Sequence, residues 1–357
     1  LMPAALKRVL PQLATLVALA ALVSAAFPGF LAVELVDGRL VGPVIDILKR
    51  GAPVALLAVG MTLVIATRGI DLSVGAVMAI CGAVAASAVA SGAGLPAAFA
   101  MALAAGLISG LWNGALVAVV GIQPIVATLI LMTAGRGVAQ LITEGRILTF
   151  SSPGFAFLGS GEILGLPVPA WLWLATGLAA ALLMRRTALG LLIEAVGVNR
   201  RASALAGVNA RVLLIAVYMA SGVCAALAGL VAAADIRGAD ANNAGLWLEL
   251  DAILAVVIGG NSLMGGRFSI AASLLGAMII QTIDTGILLA GFPSEYNLVI
   301  KAALVVTILV LQSPSLAREW QARRQRRREG PPPAPSPRAP GRPAPRPSAR
   351  PAEEAGR

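Results

Sequence analysis

Ten apolar stretches, at residues 9–33, 52–66, 73–90, 95–120, 125–142, 168–184, 212–234, 250–263, 270–289 and 298–311, set what this chain can fold into. About 20 apolar residues in a helix cross the hydrocarbon core of a bilayer. Inside that core only helices and closed barrels satisfy their own backbone. The connections are short, the longest being 143–167 and 185–211, so no soluble domain large enough for catalysis lies between spans. Charge content agrees: Asp, Glu, Lys and Arg make up 12% of the 357 residues, against about 25% in soluble domains. The predicted fold class is all-α, a polytopic membrane protein of about ten transmembrane helices.

Missing residue types narrow the function. There is no histidine, which removes HExxH metal centres, Ser/His/Asp triads and histidine proton relays. The lysines are Lys7, Lys49 and Lys301, and none follows a glycine, so the chain has no GxxxxGK[ST] phosphate loop. Cys81 and Cys224 stand alone in apolar runs and read as small buried hydrophobes rather than a disulfide or metal pair. The chain is therefore expected to bind no cofactor or metal of its own.

A net charge of +10 suggests nucleic acid until the charges are located. Eleven arginines and four glutamates follow residue 317, so +7 of the total belongs to a tail that also holds ten of the 22 prolines. With almost no aliphatic residues to bury, 318–357 is predicted to be a disordered cytoplasmic tail behind a membrane domain at 1–317. Either it stays solvated or its arginines contact anionic membrane lipid or a partner; no nucleic-acid partner is expected. Basic residues in alternate connections fix the orientation. Lys7, Arg8, Arg68, Arg185, Arg186, Arg200, Arg201, Arg211 and Arg267 fall on one side, and Glu34, Asp37, Asp46, Glu144, Glu162, Asp235, Asp240, Glu249 and Glu295 on the other. Both termini are predicted to be cytoplasmic. The first stretch also offers Val23-Ser24-Ala25 as a signal-peptide cleavage site, and removing it leaves the tail on the same side.

Two segments echo each other. LVIATRGIDLS at 63–73 and VVIGGNSLMGGRFS at 256–269 each end an apolar helix in glycine and arginine and restart it with serine, the form expected of two weakly related halves in a transporter. The stretch 185–211 combines five arginines with breaks at Gly190, Gly197 and Gly207, and predicts two brief helices in the interface plane. Such helices are either a lever on which a partner pushes or a solvated basic loop.

The run GMTLVI at 60–65 with GIDLSVG at 69–75, the EAVGVN loop at 194–199, and VIGG at 257–260 with MGGR at 264–267 together resemble the permease subunits of ribose-type sugar ABC importers, especially the galactofuranose-type branch. The similarity runs from about Pro43 to Ser313. It implies a permease that pairs with a second copy or a paralogue, receives sugar from a periplasmic binding protein and is driven by two cytoplasmic ATPase subunits that hold ATP and Mg. Localisation in a bacterial inner membrane follows. Glu194, Ala195, Gly197, Asn199, Arg200, Arg201 and Gly207 then match the coupling loop that seats in the ATPase, although the fuller EAA loop of other importers is missing.

Polar groups inside spans complete the list of candidates. Asn113, Thr128, Asn261 and Gln281 either line a sugar path or hydrogen-bond between helices. Asp284 joins the path candidates or pairs with Lys301 across neighbouring spans, and Asp251 is expected at the outer interface. Trp171, Trp173 and Trp247 read as interfacial anchors. The competing functions are a stand-alone carrier or channel using Asp284 or Asp251, an importer of amino acids or nucleosides on the same fold, and, with least support, an intramembrane enzyme.

Overall fold

The computed structural model describes residues 4–36, 38–291 and 294–311; the tail and its boundary at 317 lie outside them. In chain order the elements are α1 (Ala4–Ala26), the hairpin β1 (Glu34–Val36) and β2 (Arg39–Val41), α2 (Pro43–Arg50), α3 (Ala52–Ala66), α4 (Val74–Ala90), and α5 (Leu95–Ala115) with a π-helical extension Leu116–Val120. Then come α6 (Pro124–Thr143), β3 (Leu148–Thr149), α7 (Pro153–Ser160), β4 (Glu162–Ile163), β5 (Leu166–Pro167), α8 (Val168–Arg186), α9 (Leu189–Val198) and α10 (Arg200–Leu205). The chain closes with α11 (Ala210–Ile236), β6 (Gly238–Ala239), α12 (Leu248–Ile258), α13 (Ile270–Leu289) and α14 (Ser294–Leu311).

Each of the ten apolar stretches contains a helix, but they are not equal. Among the described residues six helices have the length and apolarity to cross a bilayer: α1, α5, α6, α8, α11 and α13. A seventh forms if α2 and α3, bent by 45° at Gly51, count as one span. α4 has 17 residues and α12 only 11, and the cause is the same for both: each begins part-way into the bundle. Ser221, near the middle of α11, packs against Gly60 of α3 and also donates to the Asp71 carboxylate at 2.9 Å. Residues 67–71 thus double back from the end of α3 to the level of Gly60, and α4 starts there. From the opposite end, residues 240–247 dip inward after β6 until the Gly245 backbone meets the Gly75 backbone, where α12 starts.

The starts of α4 and α12 therefore face one another, with the buried Glu249 carboxylate beside Gly75. Two helix N-termini carry partial positive charge, and an anion between them offsets it. Arg136 of α6 ties down the dipping segment by donating to Ala241 O (3.1 Å) and Ala244 O (2.5 Å), and Gln140 Nε2 adds a 2.8 Å bond to Asn242 Oδ1. Within the segment the Asn243 side-chain amide donates to Asp240 and holds its carboxyl below the usual range.

Small residues set the helix spacing. A Cβ added at Gly106 of α5 would strike the Gly222 carbonyl of α11, and one added at Gly222 would strike Gly106. Backbones this close gain van der Waals contact, which is what holds helices together where lipid removes the hydrophobic drive. Behind them Leu56, Leu57, Met61, Leu230, Ile258, Ile279 and Ile280 form the buried core.

Candidate functional site

α9 and α10 lie at the end of the bundle where α3 stops. Asn199 caps α10, its Oδ1 accepting from Ala202 N at 3.0 Å, so the predicted pair of brief helices is present. Gly197 is pressed against the Ala66 carbonyl at the end of α3, and a Cβ there would lie 2.7 Å from Gly266 N. Gly266 N itself donates to Ala66 O at 2.9 Å, so the two echoed segments are in contact and α9 sits on their junction.

Arg68 completes that junction. It adopts a left-handed backbone, φ 64°, at a cost of about 1–2 kcal/mol for a residue with a Cβ. Its Nε donates to Met264 O and its Nη2 to Val198 O, both at 2.8 Å. Val198 ends α9, so the guanidinium also meets the negative end of that helix. Ala195 and Glu194 are half-buried; Glu194 lines a groove of about 410 Å³ with Met184, Arg185, Gly190 and Phe268. Arg200, Arg201 and Gly207 are exposed, and so are Leu191 (72%), Val198 (61%) and Leu205 (91%). An apolar surface rimmed by arginines on short helices is the composition of a docking face.

Further inside, a polar knot holds the start of α4. Asp71 Oδ1 accepts from Ser73 N (3.0 Å) and Ser73 Oγ (2.6 Å), while Oδ2 takes the Ser221 bond. Asn113 Nδ2 donates to Ser73 Oγ at 2.8 Å, and the Thr128 hydroxyl accepts from Leu72 N at 3.2 Å. Asp71, Ser73, Asn113, Thr128 and Ser221 are all buried. A buried carboxylate is tolerated when its oxygens are hydrogen-bonded, and these bonds replace the backbone pairing that the break gives up.

The other path candidates fall elsewhere. Asn261 Oδ1 accepts from Ser269 N (2.7 Å) and its Nδ2 donates to Ser273 Oγ (2.8 Å), which bonds Thr62 Oγ1 of α3 at 2.7 Å. Gln281 is buried next to Gly51. Asp284 accepts from Lys301 Nζ at 3.0 Å, the pairing expected across neighbouring spans, and Asp251 shares the same ammonium at 2.8 Å. Asp251 thus joins a largely buried ion triad rather than facing water at an outer interface. Trp173 is also corrected: it is buried and donates to Leu48 O at 3.1 Å, whereas Trp171 and Trp247 are exposed. The structure brings Asn113 and Thr128 together and keeps Asn261, Gln281 and Asp284 apart from them. Among the described residues no three His, Cys, Asp or Glu cluster as metal ligands.

The sequence reading did not select Arg68, Asp71, Ser221 or Gly266 as site residues. Asp71 and Arg68 were nonetheless visible, as charges inside the echoed breaks; Ser221 lies in an unremarkable apolar run and gave no signal.

Residues 44–309 match the family model described as branched-chain amino acid transport system / permease component. The chain belongs to this permease family. It is 60% identical over 304 residues to the galactofuranose transporter permease protein YtfT of Escherichia coli (strain K12), covering 85% of this chain and 89% of that one. It is 43% identical over 283 residues to the fructose import permease protein FruF of Bifidobacterium longum (78% and 80% covered). Against the ribose import permease protein RbsC of E. coli (strain K12) the identity is 38% over 306 residues (85% and 92% covered). As a permease, the chain is a transport component. The matched region takes in both helix breaks, α9 and the ion triad.

Proposed function

We propose that this permease is the membrane subunit of an ATP-driven importer for a monosaccharide, galactofuranose or a ribose-like sugar, in a bacterial inner membrane with both termini cytoplasmic. Kinship to permeases named for galactofuranose, fructose and ribose supports the substrate class. Amino-acid cargo has the wording of the family description behind it but none of these three relatives, and nucleoside cargo has neither. The chain's own geometry supports the drive: α9 is bolted by Gly197 to both helix breaks while Leu191, Val198 and Leu205 face outward beside Arg200 and Arg201. That outward face is the seat for a cytoplasmic ATPase subunit, which holds ATP and Mg.

At the other end an open cavity of about 910 Å³, lined in part by Arg39, Ser152, Glu162 and Arg237, offers charged groups to a periplasmic sugar-binding protein. A second copy or a paralogue completes the translocation path. Asn113, Thr128 and Asn261 shape that path by bracing the helix breaks, Asp284 by tying α13 to Lys301 of α14, and Gln281 by its buried packing in α13 beside Gly51. Closure of the ATPase pair would move α9, and with it the ends of α3 and α12.

Glu194→Lys places a cation beside Arg185 in the groove, and Gly197→Pro drives a ring into the Ala66 carbonyl. Both variants are expected to reach the membrane, because α9 lies at the end of the bundle and Gly197→Pro displaces it without opening the core, and to lose copurification with the ATPase or its stimulation. Unchanged sugar uptake in both would overturn the coupling assignment.

A further inference from the structure

We infer that Arg68 is a latch that makes α9 and the two helix breaks move as one body, and that the Gly75–Gly245 contact is the joint this motion opens. The inference rests on the reading of α9 as the ATPase seat. It concerns how a push on α9 reaches the inside of the bundle.

Three backbone segments that are far apart in sequence meet at one guanidinium. Arg68 belongs to the first break, Met264 to the second, and Val198 is the last residue of α9. Two fixed donors on one planar group hold two carbonyls in a set geometry, which the single ammonium of a lysine does not. The main-chain bond from Gly266 N to Ala66 O and the seating of Gly197 on both act in the same direction. Pulling α9 away therefore pulls on residues 67–73 directly.

Those residues lead without slack to the start of α4. Asp71 and Ser73 grip each other, and α4 begins at Val74. Gly75 then lies against Gly245, the innermost part of the segment that dips in from the opposite end. The contact is between backbones, and neither glycine offers a side chain to anchor it. The dipping segment is held by α6 through Arg136 and Gln140, which clasp residues 241–244, and it continues into α12. The latched body is hydrogen-bonded to α6 at one hydroxyl, Thr128 Oγ1, which accepts from Leu72 N at 3.2 Å and lies 3.2 Å from Ile70 O. A displacement of the latched body that parts Leu72 from Thr128 and pivots α12, while Arg136 and Gln140 keep residues 241–244 on α6, thus separates Gly75 from Gly245, the place where segments from the two ends meet. Arg68 is a positioning residue in this scheme and touches no substrate.

The test uses the whole complex, permease with ATPase and binding protein, in proteoliposomes. Arg68→Ala is expected to keep ATPase copurification and ATP hydrolysis while the sugar moved per ATP falls by about tenfold, the scale of an ordinary coupling free energy. Arg68→Lys, keeping one bond, is expected to fall between the two. A second readout places Ala241→Cys in the dipping segment, where the parent side chain is 2% exposed. A membrane-impermeant maleimide is expected to label it faster during ATP turnover, and Arg68→Ala to abolish that ATP dependence. If Arg68→Ala does not reach the membrane, Arg68→Lys and the labelling experiment decide. Parental sugar-per-ATP with ATP-dependent labelling in the Arg68 variants would overturn the latch. Failure of the unmodified permease to bind any ATPase would instead overturn the reading of α9, and the latch's role in transport with it.

Discussion

At the residue scale, the buried polar groups divide into those that are satisfied and those that are not. Lys301 lies between Asp251 and Asp284, and the three side chains are 11%, 15% and 24% exposed. Removing the ammonium leaves two carboxylates with no cation between them. Lys301→Met should lower stability by about 3–5 kcal/mol, the usual effect of breaking a buried ion pair. Adding Asp251→Asn and Asp284→Asn to Lys301→Met in one chain removes all three charges and should recover most of that loss; thermal unfolding in detergent is the measurement. The Tyr218 hydroxyl gives the opposite expectation. It is fully buried in the knot and has no hydrogen-bond partner among the described residues. Tyr218→Phe should therefore leave stability unchanged or raise it, by up to about 1 kcal/mol, because an unpaired buried polar group is unfavourable. Ser221→Ala takes a donor from Asp71 and should lower stability by about 1–3 kcal/mol. Each variant removes one oxygen atom, yet only Ser221→Ala should lower the unfolding midpoint.

At the element scale, close approach and exposure separate glycines that composition treats alike. Gly222→Leu should prevent folding, since even a Cβ meets the Gly106 carbonyl, and loss of a monodisperse peak in size-exclusion chromatography would report it. Gly207 has φ +86° with open space around it. Gly207→Ala should cost only the left-handed conformation, about 1–2 kcal/mol, and leave the membrane domain folded. The helices were legible because their signal is local. The predicted span at 270–289 is α13 to the residue, and the predicted start at 73 differs from α4 by one. Local signal also explains the errors. The stretch 250–263 reads as one apolar run, yet Gly259 and Gly260 end α12 at Ile258, and its first turn holds an ion pair to a helix 50 residues away. Trp173 looks like an anchor beside Pro169, but Leu48 O, 125 residues earlier, accepts its N–H. Pairing of β3 with β6 likewise joins Leu148 to Ala239 and leaves no local pattern.

At the scale of the whole molecule, two segments that enter the bundle from opposite ends meet at a glycine contact, and the helix that would receive a partner is fixed to one of them. The echo between 63–73 and 256–269 was readable as similarity; that the two segments touch was not, because Gly266 and Ala66 are separated by most of the chain. The missing histidines and phosphate loop pointed to a transport subunit that draws energy from elsewhere, and membership of the permease family agrees with a transport component. The central claim is that sugar moves through this chain only when an ATPase works on α9. The most direct test is uptake of radiolabelled galactofuranose or ribose into proteoliposomes containing the permease, with ATPase and binding protein added or omitted. Uptake that requires ATP and both partners, and that Glu194→Lys abolishes, is the predicted result; uptake by the permease alone down an ion gradient would contradict it.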